Sequence, residues 1–197
     1  AMAAAGVQAA ERLGRLAQEE TGFGVAAHKK IKNEFGSRVA WESIRDLKTV
    51  GVIRHDAEHR LYEIAWPMGV VVGLVPSTNP TSTAIFKALV SIKARNACVM
   101  SPHPSARKCI EETVKVLHRA AVGAGLPPDA LSCMTEVSLE GTQELMKSRD
   151  IGVILATGGI HIGGTDFDKQ LSLQAVMPLF GYGSRMKSDA PMPTSVH

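Results

Sequence analysis

A doubly wound parallel α/β sheet, preceded by helices, is the fold that this sequence predicts, and three observations predict it. Four short aliphatic runs, at 69–75, 97–100, 131–135 and 150–156, each end in polar turn-forming residues, and a helical pattern follows each of the first three. Continuous apolar runs mark strands buried on both faces, as in a parallel sheet covered by helices. Hydrophobic residues make up 45% of the 197 residues but aromatics only 5%, so the core must be aliphatic. The first 48 residues carry no strand pattern and are rich in helix formers.

Taken in order, residues 3–20 form the first helix, with Val7, Ala10, Leu13 and Leu16 on one face, and Thr21-Gly22-Phe23-Gly24 ends it. A second helical pattern runs over 26–47, with Ile31, Phe35, Val39 and Ile44 at its apolar positions and Gly36 as an interruption. Its cluster His28-Lys29-Lys30 with Lys32 reads as a solvated face. Residues 49–64 alternate around the polar segment 55–59, which predicts a hairpin. The first buried strand then stops at Pro76-Ser77-Thr78-Asn79-Pro80-Thr81, and helix 82–94 follows. Arg95-Asn96 turns the chain into the second strand, which ends at Ser101-Pro102-His103-Pro104. Helix 106–124, the third strand, helix 138–147 and the fourth strand complete the pattern, up to Thr157-Gly158-Gly159. The rhythm is that of a Rossmann-like domain at 49–160, with N-terminal helices at 1–48 and a tail at 161–197.

Composition narrows the function classes. The net charge is +3 with no concentrated basic stripe, which argues against nucleic-acid binding. No run of eighteen apolar residues suggests a membrane span, and the small apolar start lacks the basic region of a signal peptide. Three cysteines without regular spacing argue against both a disulfide framework and a zinc site, so no metal is expected and a cytoplasmic setting is.

In doubly wound sheets, ligands sit outside the carboxyl ends of the strands. The loops at Pro76, Ser101 and Thr157 all follow strands and should converge on one edge. Asn79 is either a turn former in an Asn-Pro dipeptide or a neutral amide donor able to stabilise an oxyanion. Ser101 and His103 either stiffen an exposed loop with Pro104 or bind a nucleotide's sugar. Thr157-Gly158-Gly159 suits close backbone approach to a pyrophosphate, although the full GxGxxG fingerprint is absent. No nucleophile stands out: Cys98, Cys109 and Cys133 all fall inside predicted core elements.

At these loops the chain resembles the CoA-acylating aldehyde dehydrogenases. The stretch Val70-Val71-Val72-Gly73-Leu74-Val75-Pro76-Ser77-Thr78-Asn79-Pro80-Thr81-Ser82-Thr83-Ala84-Ile85-Phe86-Lys87 is similar to one that marks that family. So are residues 95–106, residues 150–159 and the upstream Glu19-Glu20-Thr21-Gly22. The resemblance implies that Asn79 is the oxyanion-stabilising amide. It also implies that Ser101, His103 and Pro104 lie beside the adenosine ribose, that Thr157, Gly158 and Gly159 lie near the pyrophosphate, and that Pro76 is among the cofactor-binding residues. NAD or NADP would be the cofactor, CoA the co-substrate and a small aldehyde the substrate. The family's nucleophilic cysteine has no counterpart after Gly159, so the chain reads as truncated before its catalytic part, with exposed apolar surface favouring a homo-oligomer. Beyond Gly159 the resemblance changes: residues 161–171, with Gly163 and Gly164, look like a phosphate loop of seventy-kilodalton heat-shock chaperones and actin-like ATPases. Two alternatives therefore stand beside the oxidoreductase: a non-catalytic nucleotide-binding module, and an ATPase or chaperone piece.

Overall fold

The computed structural model describes residues 1–156. Helix α1 (Met2–Thr21) ends where Gly22 takes the left-handed conformation, at φ 69°. The second helical pattern stays helical throughout, from α2 (Ala26–Glu34) through a π-helical turn over Phe35–Val39, which contains Gly36, into α3 (Ala40–Ile44). The hairpin is present as β1 (Gly51–Asp56) and β2 (Leu61–Ala65), paired antiparallel in a sheet of their own.

The main sheet contains β3 (Val70–Val75), β4 (Ala97–Pro102), β5 (Leu131–Cys133) and β6 (Ile151–Leu155), all parallel, in the order β5-β4-β3-β6. The chain winds from β3 outward to β5, then returns to the other side of β3. The switch point thus falls between β3 and β6, where a ligand crevice is expected. Helices α4 (Pro80–Lys93), α5 (Arg107–Val122) and α6 (Leu139–Lys147) are the crossovers. Strand β4 runs two residues further than its apolar run, because Leu74 and Val75 of β3 continue to pair with Ser101 and Pro102. Ser101 is therefore in a strand, not a loop. Strand β5 is correspondingly shorter than its sequence pattern.

The core is aliphatic, as the scarcity of aromatics requires. Val71, Ile85, Leu89, Met100, Ile110 and Leu117 form its centre between the sheet and α4–α5. Helix α1 packs on α4 and α5, and α2 on α1, so the N-terminal helices and the sheet form one compact unit. Glu20, at the end of α1, accepts hydrogen bonds from the backbone N–H groups of Lys108 and Cys109 at 2.8 and 2.7 Å. A carboxylate from another helix thus supplies the missing N-terminal acceptor of α5. Among the described residues, no helix is long and apolar enough to cross a membrane.

Candidate functional site

The carboxyl ends of β3, β4 and β6 meet at one edge, and a cleft of about 350 Å³ opens there. It is lined by Pro76, Ser101, His103 and Pro104 from the first two strand ends, by Ser138, Leu139 and Thr142 of α6, and by Ala156 after β6. The backbone N–H of His103 donates to Val75 O at 2.9 Å, which extends the β3–β4 ladder by one bond and holds His103 beside Pro76.

The hydrogen-bonding state of two side chains can be deduced. Thr142 Oγ1 donates to Ser138 O at 2.9 Å, and a hydroxyl has only one proton. Ser101 Oγ, 2.9 Å from Thr142 Oγ1, must then be the donor of that pair, which leaves Ser101 able to accept but not to donate. His103 Nδ1 accepts from the backbone N–H of Ser105 at 3.2 Å and lies 2.8 Å from Ser105 Oγ. A backbone amide only donates, so the neutral ring carries its proton on Nε2. The cleft thus offers one buried acceptor, Ser101, and one exposed donor, His103 Nε2–H. A hydroxyl group both donates and accepts, so either side chain can bind one.

Asn79 lies at the same edge but not in this cleft. It occupies the N-cap position of α4 without making a side-chain cap bond, and it faces a separate cleft of about 310 Å³ with Val25, His28 and Lys32. Its Oδ1 accepts from Lys32 Nζ at 2.9 Å. The lysine cluster read as a solvated face is therefore in part a clamp: Lys29 is only 5% exposed, and its Nζ donates to Thr78 O at 3.0 Å. The Thr78 carbonyl of the β3–α4 turn draws the ammonium inward. Thr157, Gly158, Gly159, Gly163 and Gly164 lie outside the described residues.

Three features escaped the sequence reading. Lys87, only 3% exposed, donates to Leu74 O at 2.5 Å and to Leu155 O at 2.6 Å, tying β3 to β6 at the switch point. Burial pushes its pKa down, and the nearby Cys98 partly offsets this. Its signal was available, since it is an isolated charge in the apolar run Ala84-Ile85-Phe86-Lys87-Ala88-Leu89. Thr142 shares one face of α6 with Ser138, four residues earlier, but nothing in the sequence pairs it with Ser101. An apolar groove of about 860 Å³, walled by Ile31, Phe35, Val39 and Phe86, reaches Lys87 and Ala156 at the sheet edge.

The cysteines lie in core elements, as their sequence contexts predict. Cys98 and Cys109 are buried, and burial pushes both thiols up. Cys133 is half-buried, and burial, with Glu111 nearby, raises it to about 11. Among the described residues no cluster of three or more His, Cys, Asp or Glu could hold a metal.

Comparison with known proteins decides the lineage. A model of the aldehyde dehydrogenase family matches residues 2–169. The chain belongs to the aldehyde dehydrogenase family. That match takes in Gly163 and Gly164, so the chaperone-like reading of this glycine pair has no support. The bifunctional aldehyde-alcohol dehydrogenase of Escherichia coli is 42% identical over 81% of the chain, which spans 18% of that enzyme. A crystal structure of a probable aldehyde dehydrogenase from Listeria monocytogenes is 53% identical, with a TM-score of 0.79, over 81% of this chain and 35% of that one. An acetylating aldehyde dehydrogenase from Geobacillus thermoglucosidasius is 50% identical, with a TM-score of 0.78, over 85% of this chain and 37% of that one. Two more distant structures carry ligands: the propionaldehyde dehydrogenase of Rhodopseudomonas palustris with bound propionyl-CoA, and an engineered glycolyl-CoA reductase with bound NADP+. They are 27% and 26% identical, with TM-scores of 0.63 and 0.64, over 85% and 87% of this chain and 37% and 40% of theirs.

Proposed function

We propose that this chain supplies the nicotinamide-nucleotide half of a CoA-acylating aldehyde dehydrogenase, which converts an aldehyde, CoA and NAD or NADP into acyl-CoA and reduced cofactor. The observation that carries this reading is the cleft at the switch point, with its paired acceptor and donor on Ser101 and His103. In this reading Ser101 accepts from a ribose hydroxyl of the adenosine while His103 Nε2–H donates to its neighbour. Pro76 and Pro104 stiffen the two strand ends, and the pyrophosphate role is given to Thr157, Gly158 and Gly159 on the family resemblance alone. Asn79 Nδ2 donates to the oxyanion that forms when a thiolate adds to the aldehyde, a contribution worth about 3 kcal/mol where such donors have been removed. The groove walled by Ile31, Phe35 and Phe86 suits the apolar tail of the substrate. Acetylating relatives at 38% and 50% identity support the reaction class.

Calorimetric titration tests this directly. NAD or NADP should release heat on mixing, and His103→Ala should weaken binding while leaving the fold intact. Absence of heat with either dinucleotide in a folded sample would overturn the reading, and heat with ATP alone would favour a different nucleotide module. We also infer self-association, because the hairpin region leaves Tyr62, Ile64 and Trp66 exposed, Trp66 at 79%. Light scattering should report a dimer or larger species, and a monomer at high concentration would refute it.

A further inference from the structure

Helix α2 presents three polar side chains on one face, Lys29, Lys32 and Asn33, at the i, i+3 and i+4 positions that lie together on a helix. Lys29 and Lys32 engage the turn between β3 and α4, and Asn33 engages the first turn of α4 itself. Lys29 Nζ donates to Thr78 O, and Lys32 Nζ donates to Asn79 Oδ1. Thr81 Oγ1 donates to Asn33 Oδ1 at 2.7 Å, and Asn33 Nδ2 donates to Ala10 O of α1 at 3.0 Å. Asn33 is 0% and Thr81 2% exposed, so this last pair is an anchor in the core. The helix itself is set by close backbone contact with α1: a Cβ on Gly14 would lie 2.8 Å from the backbone N of Lys30.

An Asn at a helix N-cap ordinarily turns its side-chain oxygen onto the backbone N–H groups of the first turn. Asn79 does not, although it stands at the N-cap of α4. An ammonium has three donors and no acceptor, so Lys32 can bond only the oxygen end of the amide. The NH2 end is thereby left free to donate elsewhere. A cation on the oxygen also polarises the amide, which strengthens Nδ2–H as a donor.

We propose that Lys32 is a positioning residue: it holds the Asn79 side chain off the helix backbone and selects Nδ2 as the end offered to a ligand, with Lys29 and Asn33 fixing the turn on which Asn79 stands. The consequence for catalysis rests on the reading of Asn79 as an oxyanion donor, whereas the positioning itself does not. It is testable in the 197-residue chain by following the Asn79 side-chain NH2 pair in nitrogen-15 NMR spectra, with Asn79→Ser identifying the signals. In the native chain this pair should be shifted away from those of solvent-exposed Asn side chains. Lys32→Met should collapse it onto them without moving the backbone spectrum, and Lys32→Arg, also a donor-only cation, should restore it. Lys30→Met removes a neighbouring charge that pairs with Glu11 instead and should leave the Asn79 pair in place. An unchanged Asn79 pair in Lys32→Met, or an equal change in Lys30→Met, would overturn the proposal. Adding NAD or NADP to the same samples separates the two ideas. If no residue of the Ser101 cleft responds while Lys32→Met still moves Asn79, the cofactor reading fails and the positioning stands.

Discussion

Replacing Asn33 by Ala removes the buried link between α1, α2 and the β3–α4 turn. Two hydrogen bonds disappear, to Ala10 O and from Thr81 Oγ1, each worth about 1 kcal/mol net. Thr81, only 2% exposed, is left with an unpaired hydroxyl, which costs a further ~1 kcal/mol or more. The expected loss is about 3 kcal/mol, a large share of the stability of an ordinary domain. Thr81→Val should cost less, about 1–2 kcal/mol, because it removes one bond and strands only Asn33 Oδ1. The double variant should be more stable than the sum of the single losses predicts, with a coupling of about 2–3 kcal/mol, since the two residues share one bond and neither partner is left stranded when both are replaced. Urea denaturation with a constant slope gives all three values. Additive losses, or single losses below about 0.5 kcal/mol, would refute the claim that this pair anchors the turn.

Glu20→Ala should cost about 1–2 kcal/mol by uncapping α5, and Glu20→Gln less, since it keeps an acceptor but loses the charge; chemical denaturation reads both. Lys87, with a pKa lowered by burial, binds its proton less readily folded than unfolded. Its contribution to stability should therefore rise with pH between its folded value and about 10.5, and the urea midpoint difference between native chain and Lys87→Met should grow from pH 7 to pH 10. Cys133, raised to about 11, should alkylate roughly 100-fold more slowly at pH 8 than a thiol of ordinary pKa, and rapidly once urea is added. No accessible thiolate is present among the described residues, and no cysteine occurs after Cys133, so a polypeptide of these 197 residues should show only background reduction of NAD or NADP with acetaldehyde and CoA. Turnover that alkylation abolishes would show that one of the three cysteines reaches the site.

Much of the fold was legible because a parallel sheet writes itself plainly. The runs at 69–75 and 97–100 are apolar without interruption, and Gly22 closes α1 where the pattern ends. The strand ends were less so: Ser101 looks like a loop residue by its chemistry, yet pairing with β3 carries the strand through it. The sequence brings Pro76, Ser101 and His103 to one edge, because the carboxyl ends of parallel strands share an edge by construction. Thr142 and the α2 clamp are not legible in it, because those contacts join segments 41 and 47 residues apart, and no local pattern encodes such pairs. Lys29 departs from the solvated face expected of its cluster for a related reason, whereas Lys32 is exposed. A lysine in a helix is usually solvated, and only the turn packed against Lys29, through the Thr78 carbonyl, makes it a clamp.

The central claim is that the cleft at the β3–β6 switch point receives the adenosine of a nicotinamide dinucleotide. A crystal structure of the 197-residue chain with saturating NAD or NADP tests it most directly. The account predicts the adenosine ribose between Ser101 and His103, with one hydroxyl donating to Ser101 Oγ and the other accepting from His103 Nε2. A well-ordered dinucleotide bound elsewhere, or an empty cleft at saturating cofactor, would contradict it.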